Sequence, residues 1–262
     1  MAFSGNFGAV PLESNINGSL STDSTSCEES RARRILLNMT QKTMARRMLQ
    51  SARDIPQFSV SRDLNATQLT AWRARINAEL EDDKQRVSMT VLMIWLAAQA
   101  LRKHPRLNSR FDEDAIIQYQ NVNVAVAMET PSGLVVPVIR EVETLSMSEI
   151  DQALKDLAAR AMAKRLSVSD FANATFTISN LGMMGVTNFR PMVNSPQAAI
   201  MGVSGPRISV VLDEKDKLAP VKIMEVTITA DHRVLDGAEV ARFLQTLVEI
   251  IQESAINQSG NK

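Results

Sequence analysis

The chain has 262 residues, of which 45% are hydrophobic and 22% charged, and Lys plus Arg equals Asp plus Glu at 29 each. This size and composition are typical of a globular enzyme with one domain and a tail. The balanced charge argues against nucleic-acid binding, and the absence of an apolar run of ~18 to 20 residues argues against membrane insertion. The single Cys27 excludes an internal disulfide framework, and no Cys/His spacing predicts a metal site.

The N-terminal segment is rich in Ser, Asn, Gly and Thr and has few apolar side chains. Such a segment cannot offset the entropy of ordering, so residues 1–34 are predicted to form a flexible tail. Its acidic residues argue against an organelle transit peptide, and it lacks the apolar core of a secretion signal. We therefore expect a cytoplasmic, bacterial protein with a globular domain at residues 35–254 and a polar C-terminal tail at 255–262.

Hydrophobic periodicity predicts a helix, a strand and two further helices in the first half of the domain. The first helix follows Asn38 and ends before Pro56, and residues 57–64 alternate like a strand. Asn65 is predicted to cap the second helix, and Ser88 opens a strongly apolar third helix around residues 91–101. The inner face of the second helix is expected to carry Leu69, Trp72, Ile76 and Leu80.

The second half of the domain alternates strands with helices. Residues 121–128 and 134–139 flank a turn at 130–133 and predict a β-hairpin. Ser146 and Glu149 form a capping box that opens a helix to about Leu166, with Ile150, Leu154, Leu157, Ala158 and Met162 inward. Strands are predicted at 174–179, 198–203, 208–212 and 221–229, and a last helix at 238–254. The fold class is therefore α+β, a mixed β-sheet flanked by helices.

The chain has only two histidines, and they receive different interpretations. His104 lies in the last turn of the third helix, where a cation or a polar ring favours the negative end of the helix dipole, so a structural role is expected. His232 lies at a predicted strand end, four residues before Asp236. Because imidazole titrates near neutral pH, His232 is the leading candidate for a general base. By spacing alone, Asp236 is either part of this site or only the N-cap of the last helix.

Six ordered motifs resemble those of the catalytic domain of dihydrolipoamide acyltransferases, the acyltransferase components of 2-oxo acid dehydrogenase complexes. They are MTQKTMARRM at 39–48, IPQF at 55–58, TPSGLVVP at 130–137, TFTISNLG at 175–182, NSPQAAI at 194–200 and ADHRVLDG at 230–237. The resemblance covers residues 37–253 and implies a trimeric, two-layer fold like that of chloramphenicol acetyltransferase. Asp231 stands where chloramphenicol acetyltransferases usually carry a second histidine, which favours the lipoyl branch.

The resemblance implies thiol-to-thiol acyl transfer in a site between neighbouring subunits of a homotrimer. His232 of one chain would take the proton from CoA or dihydrolipoamide, and Ser179 of the next chain would hydrogen-bond the oxyanion. Asp236 would orient the site through an ion pair with Arg46 or Arg47 of the first helix. No metal and no covalent enzyme intermediate are implied. Asn180 and Gly182, which follow Ser179, are expected to contribute to cofactor binding.

The resemblance makes CoA a substrate and implies a lipoyl group supplied in trans by a lipoyl-domain protein, together with 2-oxo acid dehydrogenase components as partners. Asp216-Lys217 is similar to the Asp-Lys of a lipoylated hairpin, but the surrounding ~80-residue module is missing, so Lys217 is predicted to be an ordinary loop lysine. The polar residues 252–262 differ from the apolar anchor of the family, and we expect a trimer that assembles poorly into larger particles.

Three functions remain open from the sequence. The leading hypothesis is acyl transfer between CoA and a dihydrolipoyl group, and Leu181 favours acetyl over succinyl. Transfer from CoA to a small-molecule hydroxyl or amine is an alternative, which the missing lipoyl domain supports. A non-catalytic trimeric scaffold is a third, and the presence of His232, Ser179 and Asp236 argues against it.

Overall fold

A computed structural model of the protein describes residues 32–80, 86–212 and 216–256. The predictions for Cys27, for most of the N-terminal tail and for residues 257–262 lie outside this part of the chain. The boundary between the two units of the chain falls between Leu37 and Asn38. No described helix is long and apolar enough to cross a membrane. The same residues contain no group of three or more His, Cys, Asp or Glu side chains that could hold a metal ion.

The second unit is built on a mixed six-stranded sheet with helices packed against it, which confirms the α+β prediction. The helices are α1 Met39–Asp54, α2 Ala66–Ala78, α3 Met89–Lys103, α4 Met147–Met162 and α5 Gly237–Ile256. The sheet strands are β1 Gln57–Asn65, β4 Val124–Val126, β7 Val138–Ile139, β8 Phe176–Asn180, β9 Ala199–Leu212 and β10 Leu218–Asp231. Their order across the sheet is β1-β10-β9-β8-β4-β7, and β8 runs parallel to β4 and β9 while the other pairs are antiparallel. Two small hairpins are formed by β2 Ser109–Asp112 with β3 Ala115–Gln118 and by β5 Met128–Thr130 with β6 Gly133–Val135.

Helix α3 lies at the centre of the core, as its apolar sequence predicts. It contacts α4 and α5, and nine of its side chains are buried. Phe243 of α5 packs against Phe176 of β8 with ring centroids 6.2 Å apart. Each such side chain stabilises the fold by roughly 1.5–3 kcal/mol relative to leaving it exposed. The core-facing side of α5 consists of five buried residues and the half-buried Val248; the buried ones are Val240, Phe243, Leu244, Leu247 and Ile251.

The three predicted helix caps are confirmed. Asn65 accepts a hydrogen bond from the backbone of α2, and Ser88 accepts one from the backbone of α3. Ser146 and Glu149 form the capping box of α4, and these hydrogen bonds from Ser146 lower the pKa of Glu149. Helix α4 is shorter than predicted and ends at Met162, which is exposed. Its buried stripe instead reaches Ala161, because that position continues the three-to-four spacing from residues 150 and 157.

Two strand predictions require correction. The hairpin of residues 121–128 and 134–139 is split, so that β4 pairs with β7 in the main sheet and β5 pairs with β6 separately. Pro137 has no N–H to continue the ladder, and the N–H of Ala127 turns to the carbonyl of Ile178. The predicted strands at 198–203 and 208–212 are one strand, β9. Pro206 lies within β9, opposite Met224 of β10. The pairing register shifts between Met224 and Val226, and this irregularity lets β9 continue past the proline as one strand.

His104 has the structural role predicted for it. Its Nε2 lies 2.8 Å from the hydroxyl of Thr246, and its ring packs edge-on against Phe243 at a centroid distance of 5.8 Å. Burial lowers the pKa of His104, and the positive charges of Arg242 and Lys103 lower it further. The folded protein therefore favours the neutral form of His104 over the cationic form. Of the cation or polar ring expected at this helix end, the structure favours the polar ring.

We expect His104→Gln to reduce the dependence of stability on acid pH. A histidine whose pKa is lower in the folded than in the unfolded chain stabilises the fold fully above its unfolded pKa of about 6.5, and this contribution is lost as the pH falls through the folded value. Urea unfolding at pH 7.5, 6.0 and 5.0 measures the effect. His232→Gln is the matched control, because it removes an imidazole and leaves the contacts of His104 intact. Equal acid sensitivity in His104→Gln and the wild type contradicts this assignment.

Candidate active site

His232 lies in a tight turn between the end of β10 and the start of α5. Its backbone N–H donates to the carbonyl of Pro56 over 2.9 Å. The imidazole is exposed, as predicted, and packs against Phe58 of β1 with ring centroids 4.4 Å apart. Neither ring nitrogen has a hydrogen-bond partner among the residues that the structure describes. Both nitrogens of His232 are therefore available to a ligand.

An ion pair joins the two neighbours of His232. The carboxylate of Asp231 is buried and accepts hydrogen bonds from the backbone N–H of Arg233 and from two nitrogens of its guanidinium. These bonds raise the pKa of Arg233. The guanidinium lies over the ring of Phe111, with 4.3 Å between Cζ and the ring centroid. Asp231 and Arg233 were not among the predicted site residues, although opposite charges on both sides of a candidate base are visible in the sequence.

Asp236 acts as the N-cap of α5 within the chain. Its Oδ1 accepts from the backbone N–H of Glu239 over 2.7 Å, and the Glu239 carboxylate accepts from the backbone N–H of Asp236 over 3.0 Å. The expected ion pair with Arg46 or Arg47 is absent from the described part of this single chain. Its carboxylate is engaged at the positive end of the α5 dipole instead. Of the two interpretations, the cap is the one that the single chain shows.

Ser179 lies near the end of β8, where it pairs with Gly202 of β9. The residue is half-buried, and its hydroxyl has no hydrogen-bond partner within residues 32–80, 86–212 and 216–256. A hydroxyl of this kind can donate a hydrogen bond to a bound group. Ser179 thus has the chemical capacity that an oxyanion donor needs.

Asn180 and Gly182 shape the loop that follows Ser179. The Asn180 side chain donates to the hydroxyl of Thr90 and accepts from the backbone N–H of Gly182, both over 2.9 Å. A Cβ on Gly182 would lie 2.8 Å from the carbonyl oxygen of Ser204, so no larger residue fits there without a shift. These contacts account for both residue types within the chain, and their role in cofactor binding stays a prediction.

The structure does not bring Ser179 and His232 together in one chain. Ser179 pairs with Gly202, which pairs with Thr227 of β10, and His232 is five residues beyond Thr227. Strand geometry places the two residues about 17 Å apart along the strands and about 10 Å across them, or roughly 19 Å in all. Catalytic groups must lie within about 3 Å of the atoms they act on. One chain therefore holds two separate halves of the predicted site.

A polar cavity of about 530 Å³ opens at the His232 end of the sheet. Its lining includes Arg47 of α1, Arg110 of β2 and Gln197. Gln197 precedes Ala198, whose carbonyl accepts a hydrogen bond from the N–H of Asp231 over 2.8 Å. Two arginines thus line one cavity, and Arg110 also donates to Asp112 over 3.3 Å. Arginine side chains suit a ligand that carries phosphate or carboxylate. This cavity was not predictable from the sequence, because its lining comes from segments far apart in the chain.

The mixed sheet, the exposed histidine after β10 and the serine hydroxyl near the end of β8 match the acyltransferase catalytic domain that the sequence motifs predicted. The family model described as "2-oxoacid dehydrogenases acyltransferase (catalytic domain)" matches residues 29–257, and the chain belongs to this family, as its motifs predicted.

Curated relatives are similar over the same region. The dihydrolipoyllysine-residue acetyltransferase component of the pyruvate dehydrogenase complex of Rickettsia bellii is 36% identical over 220 residues, which cover 84% of this chain and 52% of that protein. The mitochondrial component of Schizosaccharomyces pombe is 38% identical, with coverage of 82% and 45%. The chain thus spans about half the length of these relatives.

Solved structures agree with this assignment. A probable dihydrolipoamide acetyltransferase from Listeria monocytogenes superposes with a TM-score of 0.81 at 28% identity and covers 86% of this chain and 96% of that one. The dihydrolipoamide acetyltransferase of Azotobacter vinelandii also gives 0.81 at 28% identity, with coverage of 92% and 97%. In that protein a serine, a histidine and an asparagine have been investigated for roles in the catalytic mechanism, and the histidine and asparagine are four positions apart.

We expect Gly182→Ala to destabilise the protein by roughly 1–3 kcal/mol, because the added methyl group overlaps the carbonyl of Ser204. Thermal and urea unfolding measure the change. Gly237→Ala is the matched control, since a Cβ at Gly237 meets nothing within 4 Å and alanine favours the start of α5. A Gly182→Ala variant as stable as Gly237→Ala shows that the close approach is not required.

Proposed function

We propose that residues 35–254 form the catalytic domain of a dihydrolipoamide acyltransferase, which moves an acetyl group between CoA and a dihydrolipoyl group supplied in trans. One observation carries this proposal: an exposed imidazole with free nitrogens, just after β10, and an unpaired serine hydroxyl, near the end of β8, lie on one sheet with the family's fold. The lipoyl group would come from a lipoyl-domain protein, and the physiological partners would be 2-oxo acid dehydrogenase components. Acetyl is chosen because the curated relatives are acetyltransferases.

His232 is the proposed general base. Its free ring nitrogen takes the proton of the attacking thiol, and the resulting thiolate attacks the carbonyl carbon of the acyl thioester. Ser179 then donates a hydrogen bond to the oxyanion of the tetrahedral intermediate. When this intermediate collapses, the other sulfur leaves and receives the proton from the imidazolium. The acyl group has moved from one thiol to the other, and the histidine is again neutral.

Asp236 is proposed to position His232 rather than to exchange protons. The Asp236 carboxylate caps the first helical turn of α5. The loop that carries His232 leads directly into this helix, so the cap fixes the C-terminal end of that loop. The Azotobacter protein has an asparagine at the corresponding spacing of four from its histidine. An amide oxygen and a carboxylate can both accept the capping hydrogen bond, so a capping role explains either residue type.

The active site is proposed to form between subunits of a homotrimer. The separation of roughly 19 Å between Ser179 and His232 within one chain supports a site in which Ser179 of a neighbouring copy reaches a thioester held by His232. One similar structure is the cubic core of a pyruvate dehydrogenase complex, at 27% identity and a TM-score of 0.81. Threefold contacts are a feature of cubic assemblies. CoA phosphates are proposed to occupy the cavity with Arg47 and Arg110.

Acetyl transfer from acetyl-CoA to dihydrolipoamide is the direct test. We expect turnover in the wild type, a loss of ~10²- to 10⁴-fold in His232→Ala, and a loss of ~10²- to 10³-fold in Ser179→Ala. His104→Gln is the matched histidine control and retains turnover. Transfer to alcohols or amines but not to dihydrolipoamide would contradict the proposed acceptor. The absence of turnover with every acceptor would favour a non-catalytic trimeric scaffold.

Mixed oligomers test the shared site. We expect His232→Ala and Ser179→Ala chains, co-expressed in equal amounts with different tags, to recover about a third of wild-type activity in trimers that contain both chains, because one of the three interfaces in each such trimer joins an intact His232 to an intact Ser179. Tandem affinity purification selects oligomers that contain both chains. Activity that stays at the level of the two parents, in oligomers shown to be mixed, would place both residues of each site in one chain.

A further inference from the structure

The turn that carries His232 has few direct restraints on the histidine itself. One hydrogen bond to Pro56 holds its backbone, and contact with Phe58 is the interaction that the structure gives for its ring. The position of the imidazole therefore depends on the backbone angles of residues 231–233. A displacement of about 1 Å in a catalytic group can cost about 10²-fold in rate. Whatever fixes these angles also determines how well His232 acts as a base.

The ion pair between Asp231 and Arg233 joins the residues on either side of His232. The two side chains and the backbone between them therefore form a closed ring that contains both peptide bonds of His232. Oδ1 of Asp231 lies 3.0 Å from both the backbone nitrogen and Nε of Arg233, and Oδ2 lies 2.7 Å from Nη2. The Asp231 side chain is 2% exposed, so solvent screens this pair weakly. A two-pronged contact of a carboxylate with a guanidinium also fixes the orientation of both groups.

Each member of the pair is itself anchored to the fold. The backbone N–H of Asp231 donates to Ala198 over 2.8 Å, and its carbonyl accepts from Val234 and Leu235, each over 3.0 Å. The guanidinium of Arg233 rests on Phe111 of the β2–β3 hairpin. The pair thus connects the turn to β9 on one side and to the hairpin on the other. An ion pair that only stabilised the fold would not need to be held by β9, by the start of the next turn and by the β2–β3 hairpin around one exposed residue.

We propose that Asp231 and Arg233 are positioning residues for His232: the forked ion pair between the buried Asp231 carboxylate and the Arg233 guanidinium holds the histidine backbone so that the exposed imidazole points to the reacting thiol. This inference rests on the proposed function, in which His232 is the base. It assigns to the two flanking residues a role that neither exerts by contact with substrate. Lysine cannot replace Arg233 in this role, because an ammonium group keeps the charge and lacks the planar fork.

The variant Arg233→Lys tests the proposal. We expect kcat to fall about 10- to 100-fold while KM for acetyl-CoA and for dihydrolipoamide stays within about twofold, since only the placement of the base changes. Arg160→Lys is the matched control: Arg160 is 34% exposed against 33% for Arg233, and it also donates to a carboxylate over 2.7 Å, in Asp170. This control is expected to keep wild-type kinetics.

A second readout is independent of activity. With only two histidines in the chain, NMR of protein labelled at the histidine Cε1 gives two signals per subunit, and His104→Gln assigns them. We expect the His232 signal to shift or broaden in Arg233→Lys, while that of His104 stays in place. Asp231→Asn, which retains an acceptor oxygen, is expected to give a smaller change of the same kind. An unchanged His232 signal with unchanged kcat would overturn the proposal.

The failure of this proposal is distinguishable from failure of the proposed function. If wild-type protein transfers no acyl group, the function fails, and the His232 signal still reports whether the ion pair positions the ring. If Arg233→Lys unfolds, the double variant Asp231→Asn/Arg233→Gln removes both charges together and leaves no unpaired buried ion. A folded double variant with wild-type kcat would show that the pair serves stability alone.

Discussion

The antiparallel ladder between β9 and β10 is the constraint on which the candidate site depends. It runs from Leu218 opposite Leu212 to Ala230 opposite Ala199, and the bond from Asp231 to Ala198 extends it by one residue. Because β10 is held until that point, the chain must turn at His232 to begin α5. The ladder thereby presents a polar residue to solvent directly beside a core of buried side chains.

The same sheet explains why the candidate site is divided. Strand β8 runs parallel to β9, and Ser179 near its end pairs with Gly202, well inside the ladder with β10. The distance between serine and histidine is therefore set by register and cannot close through side-chain motion. In the proposed mechanism, another copy of the chain supplies the missing half of the site, because catalytic groups must lie within about 3 Å of the atoms they act on. The proposal thus ties activity to oligomerisation through the geometry of one sheet.

Local features of this protein were predictable, and the register of distant segments was not. The caps at Asn65, Ser88 and Ser146 need only residues three positions away, and all three were predicted. The split hairpin around Pro137 was not, because the partner of Ala127 is Ile178, a residue far along the chain. Likewise, the exposure of Met162 depends on where α4 meets its neighbours. Hydrophobic periodicity predicts which face of a helix is buried, but it does not predict at which residue the neighbouring elements stop covering that face.

By itself the sequence determined the α+β class, the candidate residues His232, Ser179 and Asp236, and the family, because motifs and caps are contained in short stretches of chain. Only the tertiary structure decided that Asp236 caps α5, that burial lowers the pKa of His104, and that Ser179 and His232 lie far apart within one chain. It also revealed the ion pair of the buried Asp231 with Arg233 beside His232. Burial, pKa and distance all depend on which remote segments pack together, and a linear pattern carries no measure of that packing.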